Sequence, residues 1–156
     1  MNFDKIKSAL LGTWSGSNCL YLRWMTPQEY PSASTLHITP TVGGKFLALS
    51  YTWSHEEQPQ EGLILVGYEA SKDIVHASWI DSWHANEKPM ALTGTITLQG
   101  NLDMGGSYSV ENHPDWGWRI VLTPADTALQ MRMYNVTPEG EEDLAVQADY
   151  HKQANS

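Results

Sequence analysis

From Gly12 onward, apolar residues recur at about every second position, and this alternation most constrains what the chain can fold into. Period two is the mark of strands with one buried and one wetted face. It predicts strands at 12–24, 34–42, 45–55, 62–70, 73–83, 90–99, 102–111, 116–123, 127–136 and 143–151. Turn residues separate them: Gly43-Gly44, Gln58-Pro59, Ser71-Lys72-Asp73, Glu87-Lys88-Pro89, Gly100-Asn101, His113-Pro114-Asp115, Pro124-Ala125-Asp126 and Pro138-Glu139-Gly140. Residues 25–33, MTPQEYPSA, read as a longer loop between the first two strands. Helical spacing occurs once, in Phe3, Ile6 and Leu10, with Asp4 in the first turn and Gly12 ending the run.

Short strands joined by tight turns, with no helix between them, describe an antiparallel meander. Closing a long meander removes its unpaired edges. The expected fold is therefore all-β, a single up-and-down antiparallel barrel of about ten strands with a short N-terminal capping helix. A β-sandwich is the competing topology. At 156 residues the chain suits one domain, 1–156, able to bury ~68–70% of its unfolded surface without staples. The single Cys19 excludes an intramolecular disulfide, fits a reducing compartment and reads as an inert thiol. The first residues lack the charged-then-apolar pattern of a secretory signal, and the longest continuous apolar run, Leu63 to Val66, is far too short for a membrane span. A soluble cytoplasmic protein is expected, and a homodimer stays open.

Eighteen acidic against nine basic residues give a net charge of −9, which repels phosphate backbones and argues against a nucleic-acid partner. The acidic run Glu139-Gly140-Glu141-Glu142-Asp143 reads as a solvated turn. Seven Trp and seven Tyr against two Phe suit strands lining a partly polar cavity, because both side chains carry an apolar body and a polar tip.

The densest cluster of chemistry-bearing residues is HASWIDSWH, 76–84. In a regular strand His76, Ser78, Ile80, Ser82 and His84 share one face, and Val75, Ala77, Trp79, Asp81 and Trp83 the other. His76 and His84 then lie ~26 Å apart, too far to share a metal, and face solvent. Asp81 is expected inside, between Trp79 and Trp83, where a carboxylate needs a partner: an arginine, a tyrosine, a backbone group or a ligand. His113 and Asp115 in HPDWGW read as a turn feeding a strand. No metal-ligand spacing such as HExxH occurs, so no metal or cofactor is assigned.

Several motifs resemble known families. Gly12-Thr13-Trp14, following the helix, resembles the Gly-x-Trp that opens the calycin barrels: lipocalins, fatty-acid-binding proteins and nitrobindin-like proteins. Gly44-Lys45-Phe46-Leu47, Gly62, Gly67-Tyr68-Glu69 and Trp79-Ile80-Asp81-Ser82 resemble the bacterial family labelled domain of unknown function 1579, for which no activity is established. That resemblance implies a lipocalin-like barrel. Arg132-Met133-Tyr134 resembles the Arg-x-Tyr with which fatty-acid-binding proteins hold a ligand carboxylate, although alternation with Leu129, Met131 and Met133 would turn both side chains outward. Arg119 meets the same difficulty beside Trp118 and Ile120. Nitrobindin-like barrels hold haem through a His in the last strand. Here that position is Gln147, three before Tyr150, and His151 lies on the opposite face.

Together these features imply a barrel binding a small apolar or amphipathic, and in one version anionic, molecule in its lumen. Trp53, Trp79, Trp83 and Trp118 are the expected wall residues, joined by Trp14 and Trp116. Arg132, Tyr134, Arg119 and Asp81 are the expected polar anchors. Two alternatives compete: an isomerase or hydrolase using Asp81 or His84 as acid/base, and an interaction module whose barrel is packed solid.

Overall fold

The structure is a computed structural model that describes residues 3–154. Helix α1 (Phe3–Leu10) precedes ten strands: β1 (Gly12–Tyr21), β2 (Glu29–Thr41), β3 (Phe46–His55), β4 (Gln58–Glu69), β5 (Ile74–Asp81), β6 (Met90–Ile96), β7 (Leu102–Val110), β8 (His113–Ala125), β9 (Ala128–Val136) and β10 (Glu142–Lys152). Each strand pairs antiparallel with its neighbours in sequence, and β1 pairs with β10 to close the barrel. No helix is long and apolar enough to cross a membrane.

Closure gives every strand two neighbours, and alternation decides what goes inside. Leu36, Leu49, Ile64, Val75, Ile120 and Met131 project inward and are fully buried. Helix α1 seals one end. Its apolar face, Phe3, Ile6 and Leu10, is buried, and Leu10 accepts a 2.9 Å hydrogen bond from Trp14 Nε1. Lys7 Nζ donates to Gly44 O in the β2–β3 turn at 2.8 Å. The polar groups near this floor are also paired. Ser34 Oγ donates to Thr52 O at 2.6 Å, so its 2.7 Å contact with Tyr150 is a bond that the phenol donates. Burial pushes the Tyr150 phenol up to about 12.

All ten strands fall where alternation puts them, but several ends move. β2 starts at Glu29 inside the expected loop, β4 at Gln58 and β8 at His113. The reversals lie one or two residues earlier than the prolines suggested, at Glu56-Glu57 (φ 49° and 66°) and Asn112 (φ 61°). Pro59 and Pro114 therefore sit just inside strands. Proline is tolerated near a strand end, where a missing donor breaks little of the ladder. The most consequential shift is in β5, which ends at Asp81 rather than 83.

Replacing Trp14 by Phe removes the hydrogen bond between barrel floor and helix. A loss of about 1–3 kcal/mol in unfolding free energy is expected, measurable by urea denaturation followed by far-UV circular dichroism.

The aromatic mouth of the barrel

Asp81 is only 1% exposed, and it is the sole buried charged side chain among the described residues. No arginine reaches it. Oδ2 accepts from Tyr51 Oη at 2.6 Å and Trp53 Nε1 at 3.3 Å, and Oδ1 accepts from the backbone N–H groups of Trp83 and His84 at 2.8 and 3.1 Å. Four donors thus satisfy both oxygens, which is what lets a carboxylate remain in an apolar barrel. Tyr51 in turn accepts from Trp79 Nε1 at 2.9 Å. Burial, and secondarily the Asp81 charge, raises the Tyr51 phenol well above its ordinary range, so it stays a donor.

A glycine makes this geometry available. In register across the sheet, Tyr51 of β3 opposes Gly62 of β4, and Gly62 opposes Asp81 of β5. A Cβ at Gly62 would lie 2.1 Å from the Tyr51 ring. The bare backbone lets the phenol lie across β4 and reach the carboxylate two strands away.

The two backbone bonds to Oδ1 also bend the chain. Residues 82–84 leave the strand in a turn around Asp81, so the strict alternation expected for 76–84 fails at its end. His76 remains outside, where its Nε2 lies 2.9 Å from Glu69 Oε1. His84, expected to face solvent, turns inward among indoles. Its ring centroid lies 5.7 Å from Trp53, 5.8 Å from Trp79, 4.8 Å from Trp83 and 5.3 Å from Trp118. Trp79 and Trp118 stack at 5.1 Å with planes 9° apart. Burial lowers the His84 pKa to about 4, against the opposing pull of Asp81, so the imidazole is neutral near pH 7. His84 Nε2 and Trp118 Nε1 are both enclosed without a hydrogen-bond partner in the protein.

Above this aromatic layer, away from α1, lies a cavity of about 1480 Å³ that opens to solvent. Trp83, His84, Trp118 and Tyr108 line it, with Trp24 and Trp116 at its rim. It includes a side gap. β6 and β7 pair only from Thr93↔Gly105 to Ile96↔Leu102; Gly106 still lies against Ala91 and Leu92 of β6, and beyond it β7 pairs with β8 alone. The barrel is therefore packed at the floor and hollow at the mouth, rather than packed solid.

Of the expected arginine anchors, Arg132 is not among the residues lining this cavity, and Arg119 reaches its lining only beside Gly105, from the outer side of the sheet. Met131 and Met133 are buried, which puts Arg132 and Tyr134 on the outer face of β9. Arg119 is likewise outward, between the buried Trp118 and Ile120. It donates two 2.8 Å bonds to Asp103 and two 3.0 Å bonds to Glu142, and its guanidinium lies over the Tyr134 ring. These partners raise its pKa further. The Arg-x-Tyr resemblance thus fails on parity, because the apolar residues on either side of Arg132 claim the inside. Among the described residues, no group of three or more His, Cys, Asp or Glu could hold a metal ion.

The fold and its mouth define a lipocalin-like barrel, closed below by a helix and open above through an aromatic collar. The chain belongs to the family described as protein of unknown function DUF1579, whose model matches residues 5–152. No curated protein matches the sequence. Among solved structures it is similar to Rv2717c from M. tuberculosis, with a TM-score of 0.70, 13% identity and 96% of each chain covered. It is also similar to the S-type phycobiliprotein lyase CPES from Guillardia theta, with a TM-score of 0.64 and 13% identity over 100% of this chain and 95% of that one. At such identities the likeness is one of fold.

Two outcomes test the Asp81 network. Tyr51→Phe removes the shortest bond to the carboxylate and should cost about 1.5–3 kcal/mol in chemical denaturation. The second concerns pH: the unfolded chain protonates His84 near 6.5 and the folded one only near 4, so acid between those values favours unfolding. Stability should fall by about 3 kcal/mol more over that interval in the wild type than in His84→Phe.

Proposed function

We propose that this protein binds a small, largely apolar molecule at the mouth of the barrel, against the indoles and His84. The observation that carries this reading is the combination of an open cavity with two enclosed polar atoms that the protein leaves unpartnered, His84 Nε2 and Trp118 Nε1. Binding pockets typically join a mostly apolar wall to a few placed polar groups, and span roughly 300–1,000 Å³. The cavity here exceeds that because it runs out through the rim and the β6–β7 gap. A packed interaction module would have no such space. Of the two residues the acid/base alternative names, Asp81 is already bound by four protein donors as a structural anchor, and His84 lines the cavity as a neutral imidazole. Support comes from the cavity itself, since the similarity to other barrels is one of fold alone.

Titration with the neutral apolar fluorophore N-phenyl-1-naphthylamine should give saturable enhancement at one site per chain, with quenching of tryptophan emission. Trp83→Leu, at the half-buried edge of the collar, should weaken binding at least tenfold while leaving the far-UV spectrum intact. Absence of saturable enhancement in the wild type would sink the reading.

A further inference from the structure

The position of every arginine bears on what the cavity accepts. Asn18, Ser34 and Asp81 are the buried polar residues among those described, so the interior holds one carboxylate and no buried cation. Arg119 and Arg132 lie on the outer face. Arg23 sits at the rim, 3.6 Å from Asp143. Five carboxylates and three basic groups line the cavity and its rim. Arg119 is held by Asp103 and Glu142, and Arg23 by Asp143, which leaves the exposed Glu87 and Asp115 against Lys88. The neutral His84 adds no positive charge.

We propose that the cavity selects flat aromatic molecules that are uncharged or positively charged, and discriminates against carboxylates of the same shape. This rests on the reading that the mouth binds a small molecule, and it names the class. An anionic ligand entering the collar would lose its hydration, meet no buried counter-charge and approach Asp81. A delocalised cation meets indole faces, whose quadrupoles attract it, beneath an acidic rim. The unpartnered N–H of Trp118 is satisfied by a carbonyl or ring acceptor without any net charge. The half-buried Trp83, with Trp118 beside it in the lining, gives a flat ring an aromatic surface to pack against.

Three probes of one size and different charge test this: 1-methylquinolinium, 1-naphthamide and 1-naphthoate, titrated calorimetrically into the intact chain at low ionic strength. The cation and the amide should each bind at least tenfold more tightly than the carboxylate. A Glu87→Lys, Asp115→Lys double variant, changed only at exposed rim positions, should lower the cation-to-carboxylate ratio at least threefold. Naphthoate binding as tightly as either other probe overturns the proposal and leaves lumen binding standing. If none of the three binds while N-phenyl-1-naphthylamine does, the charge selection alone falls. If that fluorophore also fails, lumen binding falls with it. An unchanged ratio in the double variant removes the rim from the selection.

Discussion

The upper half of this barrel depends on how one carboxylate is accommodated in an apolar interior. Asp81 is buried without a counter-ion, and its charge is distributed over four donors, two from β3 and two from the turn after β5. Removing any of them would leave a lone pair unsatisfied where water does not compensate, so these residues stabilise one another. Two of the donors are backbone groups of residues 83 and 84. Their bonds end β5 and turn His84 into the collar, so a network that keeps a charge buried also shapes the mouth.

Floor and mouth follow different physical rules. Below, branched aliphatic side chains and the apolar face of α1 fill the interior, and the few polar groups pair locally, as Ser34 does with Thr52 and Tyr150. Above, rigid indoles stack on one another and on a neutral imidazole, leaving a volume that they border without filling. Indoles and phenols serve both tasks because each carries an apolar body and one polar atom. Asp81 uses those atoms on Tyr51 and Trp53; Trp118 keeps its own unpaired toward the mouth.

The outer face explains why a carboxylate anchor is missing. Arg119 could have served as one in a barrel of the opposite parity. Here it is committed to Asp103, Glu142 and Tyr134 on the solvent side, where it ties β7, β8, β9 and β10 together. A one-residue slip of β8 would exchange its position with that of Trp118 and bury the guanidinium. The indole on the inner face and the ion pairs on the outer one favour the same register.

Much of the fold was legible in the amino-acid sequence, because period-two alternation and turn residues are local properties. They determined the ten strands, the single helix, the closed meander and the inward position of Asp81. Strand ends were less legible where Pro59 and Pro114 marked a reversal that left-handed Glu56, Glu57 and Asn112 make instead. The site was legible only in part. Alternation placed Trp53, Trp79, Trp118 and Asp81 inside and already cast doubt on Arg132 and Arg119. It could not foresee that β5 stops at Asp81, because that depends on a carboxylate finding two backbone donors in the following turn. Nor could it show that Gly62 clears a path for Tyr51, a contact spanning three strands. The sequence by itself determined which face of each strand is apolar; only the tertiary structure decided which polar atoms meet across the lumen, because closure brings together residues that no local pattern connects.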